Sequence, residues 1–120
     1  YIGLGVLLIT ALAMNISRLR FKENIANGDG GNMGLKKAIR AHINAIEHIV
    51  PFALIVLALA QLDIGSTGLL VFSISFIVVR LLHSYSMLAS RFKLRQASAG
   101  LSYGFAVIGC LTILYQLSFG

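Results

Sequence analysis

Acidic residues are scarce in this chain. Glu23, Asp29, Glu47 and Asp63 are the only four, against ten Lys and Arg. Cysteine occurs once, at Cys110, and proline once, at Pro51. A single cysteine builds no intrachain disulfide and no thiolate cluster, and in an apolar stretch it reads as small core filler. The basic excess carries no nucleic-acid signature: there is no Lys/Arg run of about five or more and no groove-reading motif. Charge as a whole is thin, at 12% of residues, while 58% are hydrophobic. A soluble domain of this size could not hide that much apolar surface. Period-two alternation is missing, so no strand is expected, and no repeat of about 20–50 residues is visible. What is left is a single all-α domain whose solvent is the lipid bilayer.

Four apolar segments are present. The first spans about residues 2–21 and is closed by Arg18 and Arg20. Ala11-Leu12-Ala13 has the small-residue pattern of a peptidase site, but the basic residues come after the apolar run, so a membrane span is expected. Asn27-Gly28-Asp29-Gly30-Gly31-Asn32 is a loop, rich in residues that tolerate positive φ. A phosphate cradle would need a preceding strand and another glycine spacing. Further helices are expected over about 35–62, 69–92 and 97–118, with a turn at Asp63 to Gly68 and a basic connection carrying Arg91, Lys93 and Arg95. Each is close to the roughly 20 residues that cross a bilayer. Short links give an up-down-up-down integral membrane bundle. Both basic connections, residues 18–37 and 91–97, then fall on one side, which the distribution of positive charge makes cytoplasmic.

Polar residues inside these spans are the candidates for function. Arg40, Asn44 and Glu47 occur at i, i+4 and i+7. On a helix they fall within about 60° of one another, a stripe that lipid does not accept. Arg80 and His83 of the third span lie at a similar depth, about 14–18 Å from the basic ends. Arg80, Ser84, Met87 and Arg91 would make one stripe there, with His83 beside it. Two readings are open. Glu47 could brace Arg40 or Arg80 as a buried ion pair. The surplus of arginines beside Asn and Ser also suits a small carboxylate-bearing ligand, which a guanidinium grips with a bidentate fork. His42 and His48 lie on different faces, so no metal site is expected. No nucleophile motif marks a serine hydrolase. On the fourth span Ser98, Ser102, Gly109, Thr112 and Gln116 align, and Gly100 and Gly104 form a G-x-x-x-G pair. Such small faces pack helices within a bundle or between copies.

The segment Arg40-Ala41-His42-Ile43-Asn44-Ala45-Ile46-Glu47, with Pro51-Phe52 beyond it, resembles the MAPEG family, the membrane-associated proteins of eicosanoid and glutathione metabolism. Arg18-Leu19-Arg20 and Arg80-x-x-His83 extend the likeness. The resemblance implies a bacterial member of the family, set in the inner membrane as a homotrimer that binds glutathione between subunits near the cytoplasmic side. It assigns Arg18, Arg40, Asn44 and Glu47 to glutathione, puts His83 where the family has His or Tyr, and makes Arg95 the nearest match to a thiol-activating arginine. Arg80 joins the binding set by its depth. The chain departs from the family at Met87, where Tyr is frequent, and Tyr85 points elsewhere on the helix. The activity implied is that of a glutathione S-transferase or glutathione-dependent peroxidase. Glutathione is then the co-substrate, and the second substrate is a hydrophobic small molecule entering from the bilayer. A non-catalytic binding protein of the same fold and a structural subunit of a membrane complex are the rival expectations.

Overall fold

The computed structural model describes residues 1–63 and 65–119. Ile64, within the turn expected at Asp63 to Gly68, and Gly120 lie outside the described residues. Four helices account for nearly all of the rest: α1 (Ile2–Glu23), α2 (Met33–Gln61), α3 (Ser66–Leu88) and α4 (Phe92–Phe119). All four are long and apolar enough to span a membrane. Helix α2 touches each of the other three. It can do so because it turns Ala38, Ala41 and Ala45 inward over its first half, where short side chains let neighbouring backbones approach. Beyond them Ile49 and Phe52 enter the core. Phe52 stacks on Phe76 at 3.7 Å between ring centroids, and Tyr1, Phe72 and Phe105 close around the pair. One aromatic cluster therefore joins α2, α3 and α4 to the residue that precedes α1.

Pro51 sits inside α2. It has no N–H to give, so the Glu47 carbonyl one turn earlier loses its helical donor. Two residues away, the Tyr1 hydroxyl donates to the Ile49 carbonyl at 2.7 Å, tying the N-terminal end of α1 to this weakened turn.

The first loop forms as expected. Gly28, Gly30 and Gly31 have positive φ, Asp29 accepts from the Gly31 N–H, and Asn32 caps α2 by accepting from the Leu35 N–H at 2.9 Å. The α3–α4 joint differs from expectation. Helix α3 stops at Leu88 because Ser90 turns left-handed (φ 58°) and the Arg91 N–H returns to the Ser86 carbonyl at 2.8 Å. The Arg95 N–H then bonds to the Arg91 carbonyl. Lys93 and Arg95 accordingly belong to the first turn of α4, not to a connection. At its other end α3 begins at Ser66, three residues before the expected start at Leu69, because the Leu69 N–H closes the first turn onto the Gly65 carbonyl at 3.0 Å.

Candidate functional site

The Arg40–Asn44–Glu47 stripe of α2 faces a cleft of about 280 Å³, whose other walls are Ile43, Met87 of α3 and Arg95 of α4. A second cleft of about 330 Å³ shares Arg40, Met87 and Arg95 and continues past Lys36, Lys37 and Phe92 toward the basic end. The early start of α4 is what brings Arg95 here. Four cations line the combined space and Glu47 is its single acid. Such a space favours an anionic ligand of modest size, with one point able to receive an N–H or ammonium group.

Of the residues singled out from sequence, Arg40, Asn44, Glu47 and Arg95 come together around the cleft. Arg80 does not line it. Its side chain is entirely buried (0% exposed) and packed between α2 and α4. Nη1 donates to the Ser102 hydroxyl at 2.9 Å, and Nη2 to Asn44 Oδ1 at 2.6 Å and to the Asn44 carbonyl at 3.3 Å. His83, also buried, has Nδ1 3.3 Å from Nη2, so this nitrogen accepts and the ring proton sits on Nε2. Arg18 stays on the exposed side of α1, bonded to Asn15 at 2.8 Å, away from both clefts.

The brace between Glu47 and Arg40 or Arg80 does not form: no ion pair is present among the described residues, and Asn44 and Ser102 take the place of a carboxylate at Arg80. Sequence reasoning places Ser102 among packing positions and misses its bond to Arg80. Its distance from the basic end of α4 matches that of Asn44 in α2, and this coincidence of depth is the signal that could have found it.

On helix α4, Ser98, Ser102 and Gly109 are buried within the bundle. A β-carbon on Gly109 would come within 2.5 Å of Ile55 Cγ2, whereas one on Gly100 or Gly104 would meet nothing. The aligned face thus packs inside the chain, and the G-x-x-x-G pair points outward.

The MAPEG family model matches residues 1–115, which takes in α1 to α3, all but the last four residues of α4 and the whole cleft. Among curated proteins the chain is similar to the inner membrane protein YecN of Escherichia coli K12, with 29% identity over 98% of this chain and 86% of the relative. YecN of the E. coli O6:H1 strain matches to the same degree. No solved structure matches significantly. With four membrane spans, a family model that reaches into each of them and an inner membrane relative, this chain is an integral inner membrane protein and belongs to the MAPEG family.

Proposed function

We propose that the chain binds glutathione in the cleft between α2 and the α3–α4 joint and presents its thiol to hydrophobic electrophiles. The observation that carries this reading is the convergence of Arg40, Asn44, Glu47 and Arg95 on one cleft at the basic end of the spans. Glutathione has two carboxylates, an ammonium and a thiol, and the donor set fits it group by group. Arg40 and the Asn44 amide suit carboxylates, and Glu47 suits the ammonium. Arg95, from a different helix, suits the sulfur. A guanidinium beside a thiol favours the thiolate, which is the nucleophilic form. In conjugation the sulfur would bond to the electrophilic carbon as the leaving group departs with its electron pair, the thiol proton having gone to water. Reduction of a lipid peroxide would start from the same thiolate.

Arg40 and Glu47 are exposed on the single chain. At their depth bare exposure to lipid would be costly. A homotrimer, with a second copy closing the cleft and Arg18 contributed across the interface, answers that cost. Gly100 and Gly104 offer an outward face for such packing.

Met87 in the cleft wall supports a second reading, a binding protein without turnover, since a thioether cannot donate to a thiolate. Equilibrium binding of glutathione to the purified protein in detergent tests the first claim, and absence of binding overturns both readings. Thiolate ultraviolet absorbance on mixing, with turnover of a hydrophobic aryl halide, separates the enzyme from the binder. Copurification with a different protein in fixed ratio, without glutathione binding, would mark a structural subunit.

A further inference from the structure

We propose that Arg80 is a positioning residue that fixes which edge of the Asn44 amide faces the cleft, making Asn44 a dedicated donor to a ligand carboxylate. The proposal rests on the glutathione reading above and deepens it. A guanidinium only donates, so the Asn44 atom 2.6 Å from Nη2 is the amide oxygen. In a planar amide Nδ2 then points the other way. Asn44 itself borders the cleft, and Nδ2 has no hydrogen-bond partner among the described residues.

Arg80 is not free to let go. Ser102, the Asn44 carbonyl and His83 hold the same guanidinium, and no carboxylate pairs with it among the described residues. Swinging away would strand a buried charge, which low-dielectric surroundings penalise heavily. An unrestrained asparagine can offer either its oxygen or its N–H groups. With Arg80 on the oxygen, the cleft offers donors at Arg40, Arg95 and Asn44, and a single side-chain acceptor at Glu47. A carboxylate is therefore read at the depth of Asn44, and an ammonium one helical turn further along α2.

The test uses the full chain in detergent, with thermal unfolding and glutathione binding measured side by side. Asn44→Asp sets a carboxylate oxygen against Arg80, so its midpoint should equal or exceed that of the parent. Asn44→Leu removes the acceptor and should lower the midpoint. Despite its stability, Asn44→Asp should bind glutathione at least about tenfold more weakly, because an acceptor replaces the donor. Arg80→Gln and Asn44→Ala should each weaken binding about tenfold, and the double variant should be no weaker than Asn44→Ala alone. Multiplying effects would mean that Arg80 touches the ligand itself, and would overturn the proposal. So would an Asn44→Asp protein that unfolds as early as Asn44→Leu, or one that binds glutathione like the parent. If Arg80→Gln fails to fold, Asn44→Asp still decides. A parent that binds no glutathione sinks the functional reading, while the two midpoints judge the Arg80–Asn44 contact independently.

Discussion

Glu47→Gln separates a ligand-binding carboxylate from a structural one, and the structure supplies the size of both effects. Glu47 lies on the exposed side of α2, and no cation pairs with it among the described residues. Neutralising it strands no buried charge. The cost to folding should therefore stay within about 0.5 kcal/mol, the range of ordinary surface substitutions. A carboxylate bracing a buried arginine would behave differently, at about 3–5 kcal/mol. On the ligand side, a charge-assisted hydrogen bond to the ammonium of glutathione is worth about 1.5–3 kcal/mol. Its loss should weaken binding by about tenfold to a hundredfold. Titration calorimetry of parent and variant, with thermal unfolding of the same detergent samples, reads both numbers. Unchanged affinity would remove Glu47 from the site. A large drop in stability, with no separate binding defect, would instead make Glu47 a brace for a buried arginine.

Other expectations can be checked on the same preparations. Arg95→Ala should abolish the thiolate absorbance and slow turnover by roughly a hundredfold, about 3 kcal/mol of transition-state stabilisation, while most of the binding survives. Gly109→Ala should destabilise by about 1–3 kcal/mol relative to Gly104→Ala, because only the former drives a methyl into Ile55; equal midpoints in monomeric detergent samples would contradict the close approach of α4 to α2. In a Cys110→Ser background, Asn27→Cys and Ser66→Cys should be labelled from opposite sides of the membrane, with Asn27→Cys protected in intact cells; external labelling of that position would invert the proposed orientation.

The fold is legible in the sequence because the information it needs is coarse. Span length, the glycine-rich loop after α1 and the paucity of charge between Phe52 and Leu88 all register as hydropathy, and none depends on which helix meets which. The end of α3 is less legible. A serine in the left-handed region carries no mark in the sequence comparable to a glycine, so hydropathy carries the helix through to the basic residues. The difference matters at Arg95, whose route into the cleft depends on α4 beginning at Phe92. For the site, spacing identifies the α2 stripe and depth brings Arg80 level with Asn44. Periodicity on one helix does not reveal which neighbour it faces, so sequence points to a carboxylate as the partner of Arg80 where the structure has Asn44 and Ser102. The placement of Arg18 rests on how α1 leans against α2, a matter of packing that no local pattern encodes.

The joint at Ala89 to Arg91 has a consequence for how this chain can vary. Met87 is near the last turn of α3 and Arg95 is in the first of α4, so only a short, tightly folded stretch sets the angular phase between two walls of the cleft. One residue inserted there would shift the phase of α4 by as much as about 100°, carrying Arg95 off the cleft and Ser102 off Arg80 while both spans stayed as hydrophobic as before. Side chains in the joint can change freely so long as position 90 tolerates its left-handed turn. Its length cannot: a lengthened joint would keep four hydrophobic spans and lose the alignment of Arg95 with the α2 stripe and of Ser102 with Arg80.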